Sequence, residues 1–126
     1  MMKLTMQVAA LGCGLALPAA AATDVTLHLN GSGPVQKLTA KFACDATGVG
    51  MGLPSGAFTV QYLRSGDTSL AILPVKGQDL VFAQVISANG GRYVTGRLTW
   101  WDAREPLFIL DADAKQPTES KCRRVN

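Results

Sequence analysis

Residues 87–93 read Ser-Ala-Asn-Gly-Gly-Arg-Tyr and lie between two strand-like runs of the chain. The two adjacent glycines allow positive backbone φ angles at little steric cost, and Asn89 tolerates the same region. The run that follows holds both tryptophans, Trp100 and Trp101. This stretch therefore predicts a stiff, aromatic-based hairpin that carries a protruding loop of small residues, a shape that can enter a cleft of another protein.

Apolar and polar residues alternate at 24–29 and 36–44, as they do in half-buried strands. No segment has helical periodicity over a useful length, and residues 45–56, with four glycines and one proline, predict a loop. Successive residues of a strand point to opposite faces, so one tryptophan should lie in the core and the other should be half exposed. The chain is thus predicted to be all-β, a small antiparallel β-barrel of about eight strands. The predicted strands are 24–29, 36–44, 57–63, 68–74, 79–86, 93–101 and 107–110, followed by a polar tail.

The first 22 residues have the composition of a secretory signal. Lys3 precedes an apolar run at 4–17, and small residues follow at 18–22. We expect cleavage after Ala22, which leaves a single barrel domain at 23–126 in the periplasm. The apolar run is too short for a membrane span, so no membrane insertion is expected after cleavage.

The three cysteines divide between the signal and the barrel. Cys13 lies in the signal, which leaves Cys44 and Cys122 as an even pair in an exported chain, where oxidation is expected. We predict a disulfide between them. As an alternative, the Ala-Leu-Gly-Cys sequence at 10–13 is a lipoprotein cleavage site, which would attach the chain to the envelope by a lipid on Cys13.

Composition argues against catalytic and nucleic-acid-binding classes. The one histidine, His28, has no partner of the kind needed for a zinc site or for acid–base catalysis, so we expect no enzyme, metal or cofactor. The net charge is +3, and basic residues are spread along the chain, which argues against nucleic acid as a partner. Residues 102–119 carry five acidic side chains against Arg104 and Lys115, which predicts an acidic neighbourhood near the loop.

The ordered motifs resemble the bacterial inhibitors of C-type lysozyme, the membrane-bound and periplasmic MliC/PliC family. The resemblance covers most of the chain after Lys41, from 42–45 through 68–77 and 80–82 to the tryptophan pair. The residues that carry it in and after the loop are Ser87, Gly90, Arg92, Tyr93, Gly96, Trp100 and Trp101.

This resemblance implies an eight-stranded antiparallel barrel whose loop enters the catalytic cleft of a host C-type lysozyme. It implies lysozyme contacts in and beside the loop, at Ser87, Asn89, Gly90, Arg92, Tyr93 and Arg104. The family loop commonly reads Ser-Gly-Ser-Gly, with the second serine inserted and a lysine after the tryptophan pair. Here Asn89 stands at the inserted serine, Ala103 at the lysine, and Arg104 one position later.

Two function hypotheses therefore remain. The first is a periplasmic inhibitor of C-type lysozyme that acts through residues 87–93. The second is an envelope-binding module on the same barrel, for glycan or another protein, without lysozyme inhibition. Inhibition by the purified mature chain separates the two.

Overall fold

Eight antiparallel strands follow one another around a closed barrel in the order of the sequence. The computed structural model describes residues 12, 14, 22–30 and 33–126. The predicted all-β barrel is confirmed. Its strands are β1 (Gln36–Cys44), β2 (Phe58–Ser65), β3 (Thr68–Val75), β4 (Gln78–Val85), β5 (Gly91–Thr95), β6 (Leu98–Asp102), β7 (Leu107–Leu110) and β8 (Thr118–Val125).

Tight turns join three of the consecutive strand pairs. Only two residues separate β2 from β3, β3 from β4, and β5 from β6, and each turn contains a glycine with positive φ: Gly66, Gly77 and Gly96. Such turns match the right-handed twist of antiparallel strands. The β4–β5 connection, which is the loop singled out in the sequence, is longer and spans 86–90. The predicted strand at 93–101 is in fact the hairpin of β5 and β6.

The core fills the barrel with side chains from alternate strand positions. Trp100, Phe42 and Phe82 are fully buried. The rings of Phe42 and Trp100 meet edge to face with centroids 4.8 Å apart, a favourable arrangement for aromatic pairs. As predicted, the two tryptophans point to opposite faces, and Trp101 is half-buried on the outer one.

Residues 45–56 were predicted to be a loop, but they contain a short helix, α1 (Ala46–Gly50). Asp45 caps this helix, because its Oδ1 accepts hydrogen bonds from the backbone N–H groups of Thr47 and Gly48 at 3.1 and 3.3 Å. Gly48 packs against β8 so closely that a Cβ would collide with the Ser120 hydroxyl. Packing, rather than the weak helix propensity of this glycine-rich segment, explains the helix.

The segment predicted as a polar tail is the strand that closes the barrel. β8 pairs with β7 on one side and with β1 on the other, where Cys44 lies opposite Cys122. These two cysteines form a disulfide across 78 residues of sequence. Ser120 is the buried residue of this strand, and its hydroxyl donates a 2.7 Å hydrogen bond to Asp45 Oδ1.

The predicted strand at 24–29 is wrong, since these residues are exposed and outside any strand. Their alternating pattern suits a strand, but β1 already pairs with β2 and β8 on its two sides. Of the predicted signal, only Gly12, Gly14 and Ala22 are described, so its other residues and Cys13 lie outside the described part of the chain. Within that part, no helix is long and apolar enough to cross a membrane.

Candidate functional site

The loop between β4 and β5 has its backbone fixed at Asn89. The Ser87 hydroxyl donates a 2.6 Å hydrogen bond to the carbonyl oxygen of Asn89. The indole Nε1–H of Trp101 donates a second one to the same oxygen at 3.0 Å. Both lone pairs of this carbonyl are therefore used inside the protein, while the Asn89 side chain is exposed and has no hydrogen-bond partner among the described residues.

Two glycines let the loop lie against the rest of the barrel. Gly90 has φ +62°, and a Cβ there would collide with the carbonyl oxygen of Asp102 and lie 2.9 Å from Ala103 Cα. A Cβ on Gly91 would lie 2.8 Å from the Tyr93 ring. The loop thus rests on the end of β6 on one side and on Tyr93 below, and only glycine fits at both contacts.

A hydrogen-bonded network supports the end of β6 from inside the barrel mouth. Trp100 Nε1–H donates to the Tyr62 hydroxyl at 2.9 Å, and that hydroxyl donates to Asp102 Oδ2 at 2.7 Å. Arg124 donates to Asp102 Oδ1 at 2.8 Å. Burial, together with the Asp102 carboxylate, raises the pKa of the Tyr62 phenol well above its ordinary value, so the phenol stays a hydrogen-bond donor.

Two arginines lie near the loop on the outer surface. The guanidinium carbon of Arg92 is 5.8 Å from the centre of the Trp101 ring, a cation–π distance. Arg104 is exposed on the turn after β6, next to Ala103, which Gly90 contacts. Between loop and turn lies a shallow cavity of ≈ 260 Å³ lined by Asn89, Trp101, Ala103, Arg104, Glu105 and Leu107.

The acidic neighbourhood predicted near the loop is found only in part, since Glu105 lines the cavity beside Asn89. Asp102 is bound by Arg124. Asp111 follows β7 at the opposite end of the barrel, where it forms a two-point ion pair with Arg97. The folded chain thus brings basic residues that are distant in sequence beside two of the five acids.

The structure brings the six residues predicted for lysozyme contact to one end of the barrel, with different exposures. Asn89, Gly90 and Arg104 are exposed, Ser87 and Arg92 are half-buried, and Tyr93 is buried at 6% exposure. Tyr93 therefore supports the loop from below, and Ser87 uses its hydroxyl proton within the loop. Sequence reasoning missed Asp102 and Tyr62, for which no local signal exists, because their partners come from distant strands.

Sequence reasoning also misplaced Ile86. The predicted strand 79–86 included it, but β4 ends at Val85 and Ile86 is the first loop residue. Its side chain is 99% exposed. The sequence signal that could have identified Ile86 as a site residue is its position, as a large apolar residue directly before the loop of small residues.

Comparison with known proteins identifies relatives of the region that contains this site. Residues 54–117 match the family described as membrane-bound lysozyme-inhibitor of c-type lysozyme. A membrane-bound lysozyme inhibitor of C-type lysozyme from Pseudomonas aeruginosa is 45% identical over 64 residues, which are 49% of this chain and 50% of that protein. A protein of the same name from Cupriavidus necator is 29% identical over 68 residues, 52% of this chain and 54% of that protein. The chain thus spans about half the length of these curated relatives.

A solved structure resembles the whole barrel. It is the crystal structure of Pseudomonas aeruginosa MliC in complex with hen egg white lysozyme, with a TM-score of 0.63 and 31% sequence identity. The similarity covers 83% of this chain and 99% of that one. The family match at 54–117 includes the loop, the tryptophan pair and the turn that carries Arg104.

Proposed function

The chain belongs to the MliC family of membrane-bound inhibitors of C-type lysozyme, and from that premise we propose that it inhibits a C-type lysozyme by inserting residues 87–93 into the catalytic cleft. The observation that carries the proposal is the loop itself. Its backbone is fixed by Ser87 and Trp101 through the Asn89 carbonyl, and the Asn89 side chain is left exposed. A loop ordered before binding loses little conformational entropy when it enters a cleft.

The chemistry of the target explains why an amide can inhibit. Glycoside hydrolases of this type use two carboxyl groups that flank the scissile bond, one protonated and one ionised. The Asn89 amide has two N–H donors for the ionised group and a carbonyl acceptor for the protonated one. The protein acts by occupying the site and excluding substrate, so it functions as a binding protein and not as an enzyme.

Arg104 is placed to contribute a second, electrostatic contact. It is exposed beside the loop and has no ion-pair partner in the described part of the chain. Its guanidinium can bind a carboxylate of the enzyme in a two-point geometry, which the lysine of the family pattern cannot. We propose that Arg104 takes over the role of that lysine from one position further along the turn.

The family description calls its members membrane-bound. We propose that residues 1–22 direct export and that the barrel, from Thr23 onward, acts in the periplasm. Intact mass of the exported protein tests this proposal, because a lipid-modified product that starts at Cys13 would instead support anchoring.

The test of inhibition measures the inhibition constant of the purified barrel in a cell-wall lysis assay with a C-type lysozyme. Asn89→Asp should weaken inhibition at least about tenfold, because a negative charge would face the enzyme carboxyl groups in a poorly hydrated site. Asn89→Ser should retain or improve inhibition. Arg104→Ala should cost about 1–2 kcal/mol of binding free energy if Arg104 pairs with a partly buried acid of the enzyme.

Gln78→Glu provides the matched control, since it also exchanges an amide for a carboxylate on an exposed residue, at the start of β4 and thus at the end of the barrel away from the loop. If Asn89→Asp inhibits as well as the wild type, the loop is not in the cleft. If the wild-type barrel does not inhibit any C-type lysozyme, the envelope-binding module becomes the better hypothesis.

A further inference from the structure

A row of large side chains crosses the outer surface of the barrel at the base of the loop. In the sheet register, Val85 lies opposite Arg92, Arg92 opposite Trp101, and Trp101 opposite Leu107. All four face outward, because the next residues on β5, β6 and β7 alternate with them and are buried: Tyr93, Trp100 and Phe108. We call these four residues the outer row.

The outer row is accessible and continues into the loop through Ile86. Val85 is 39% exposed and Ile86 is 99% exposed, and the other three members are half-buried. Single exposed apolar residues are common on soluble proteins and carry no meaning alone. Here, however, they adjoin one another and flank the loop that we propose enters the enzyme.

The members of the outer row are also held in place. Trp101 is fixed by its hydrogen bond to the Asn89 carbonyl. The Arg92 guanidinium lies over the Trp101 ring, and its Nε is buried without a hydrogen-bond partner among the described residues. Ordered aromatic and arginine side chains often dominate the binding energy of an interface, because they lose little conformational entropy when a partner buries them.

The size of the loop indicates that the binding surface extends beyond it. A stable complex of the enzyme–inhibitor type buries roughly 800 Å² on each partner, which takes about 20–30 residues a side. Residues 87–93, which we propose enter the cleft, cannot supply this area. The apolar centre of such an interface is rich in aromatic residues and arginine, and the outer row has this composition.

We propose that the outer row, with Ile86 as its apolar anchor, is the second part of the surface that binds C-type lysozyme and covers apolar side chains on one lip of the catalytic cleft. This inference rests on the proposed function. It predicts two contact surfaces: the loop enters the catalytic cleft, and the outer surface of β4 to β7 packs against one edge of that cleft.

The experiment compares two exposed apolar residues on opposite sides of the loop. Ile86→Ser should raise the inhibition constant about tenfold to a hundredfold, because the variant lacks the apolar side chain that the proposal buries in the complex. Leu38→Ser is the matched control, since Leu38 is 69% exposed and lines the cavity on the inner side of the loop with Gly90 and Gly91, a cavity that no member of the outer row lines. It should change the inhibition constant less than about twofold. Neither side chain belongs to the core, so both variants should fold.

A third variant tests the row itself. Arg92→Lys keeps the charge but removes the planar group that lies over Trp101, and it should weaken inhibition several-fold. If Ile86→Ser inhibits within about twofold of a wild-type barrel that is itself active, the outer row is outside the interface and the proposed function stands. If Leu38→Ser is the weaker inhibitor of the two, the lip contact lies on the mouth side instead. An inactive wild-type barrel would overturn both proposals together.

Discussion

Replacing Gly90 with alanine should detach the loop from the barrel without unfolding the protein. The Gly90 φ of +62° would cost an alanine about 1–2 kcal/mol. The new Cβ would also lie 2.9 Å from Ala103 Cα, well inside the 3.5–4.0 Å or so at which carbon atoms attract. To relieve this contact, the loop must move away from the end of β6 by about 1 Å.

That movement would break the hydrogen bond that shapes the loop. Trp101 Nε1–H and the Asn89 carbonyl oxygen are 3.0 Å apart, and a hydrogen bond of this kind is lost when the atoms separate much further. Its loss adds about 0.5–1.5 kcal/mol to the backbone cost, for a total of roughly 1.5–3.5 kcal/mol. Because a tenfold change corresponds to about 1.4 kcal/mol, the inhibition constant of Gly90→Ala should rise by roughly 10- to 300-fold.

Gly96→Ala is the control for Gly90→Ala, because it has the backbone cost of an alanine at positive φ without the steric collision. Gly96 has φ +52° in the β5–β6 turn at the other end of the barrel, and a Cβ there meets nothing within 4 Å. This variant should lose about 1–2 kcal/mol of stability and melt several degrees lower, with an unchanged inhibition constant. Melting curves and lysis assays on both variants provide the measurement. Equal inhibition by Gly90→Ala and wild type would refute the idea that the native loop conformation is needed for inhibition.

Two further predictions concern stability. The Cys44→Ser, Cys122→Ser double variant should lose roughly 4 kcal/mol in denaturant unfolding, because the disulfide closes a loop with a sequence separation of 78; a loss under about 1 kcal/mol would show that the β1–β8 seam is held by strand pairing alone. Hydrogen bonds from Ser120 and the Lys121 N–H lower the pKa of Asp45 below 3.8. The ionised Asp45 carboxylate therefore stabilises the fold fully above about pH 4, and this stabilisation is lost as the pH falls through the folded-state pKa. Asp45→Asn, which can still cap α1, should therefore be less stable than wild type at pH 7, and the difference should shrink at about pH 2; an equal difference at both pH values would contradict this.

Local sequence patterns predicted β1 to β4 and β7 of this protein. Alternation along 36–44 matched β1 at both ends, because a strand with one buried face has a side-chain period of two, and the apolar run at 107–110 matched β7. The resemblance to the inhibitor family also identified the region that contains the loop. These signals act between residues that are close in the chain, so they can be recognised without knowing the fold.

Tertiary structure decided which segments find partners. The alternating residues 24–29 remain outside any strand, whereas the polar segment 118–125 becomes β8 because β1 and β7 provide its two edges. The same pairing sets the electrostatics of the site, since Arg124 arrives on β8 to bind Asp102. The sequence assigned the two tryptophans to opposite faces of the strand. Only the closed barrel determined that Trp100 fills the core and that Trp101 holds the loop. The reason is that burial depends on which face of the strand the other strands enclose.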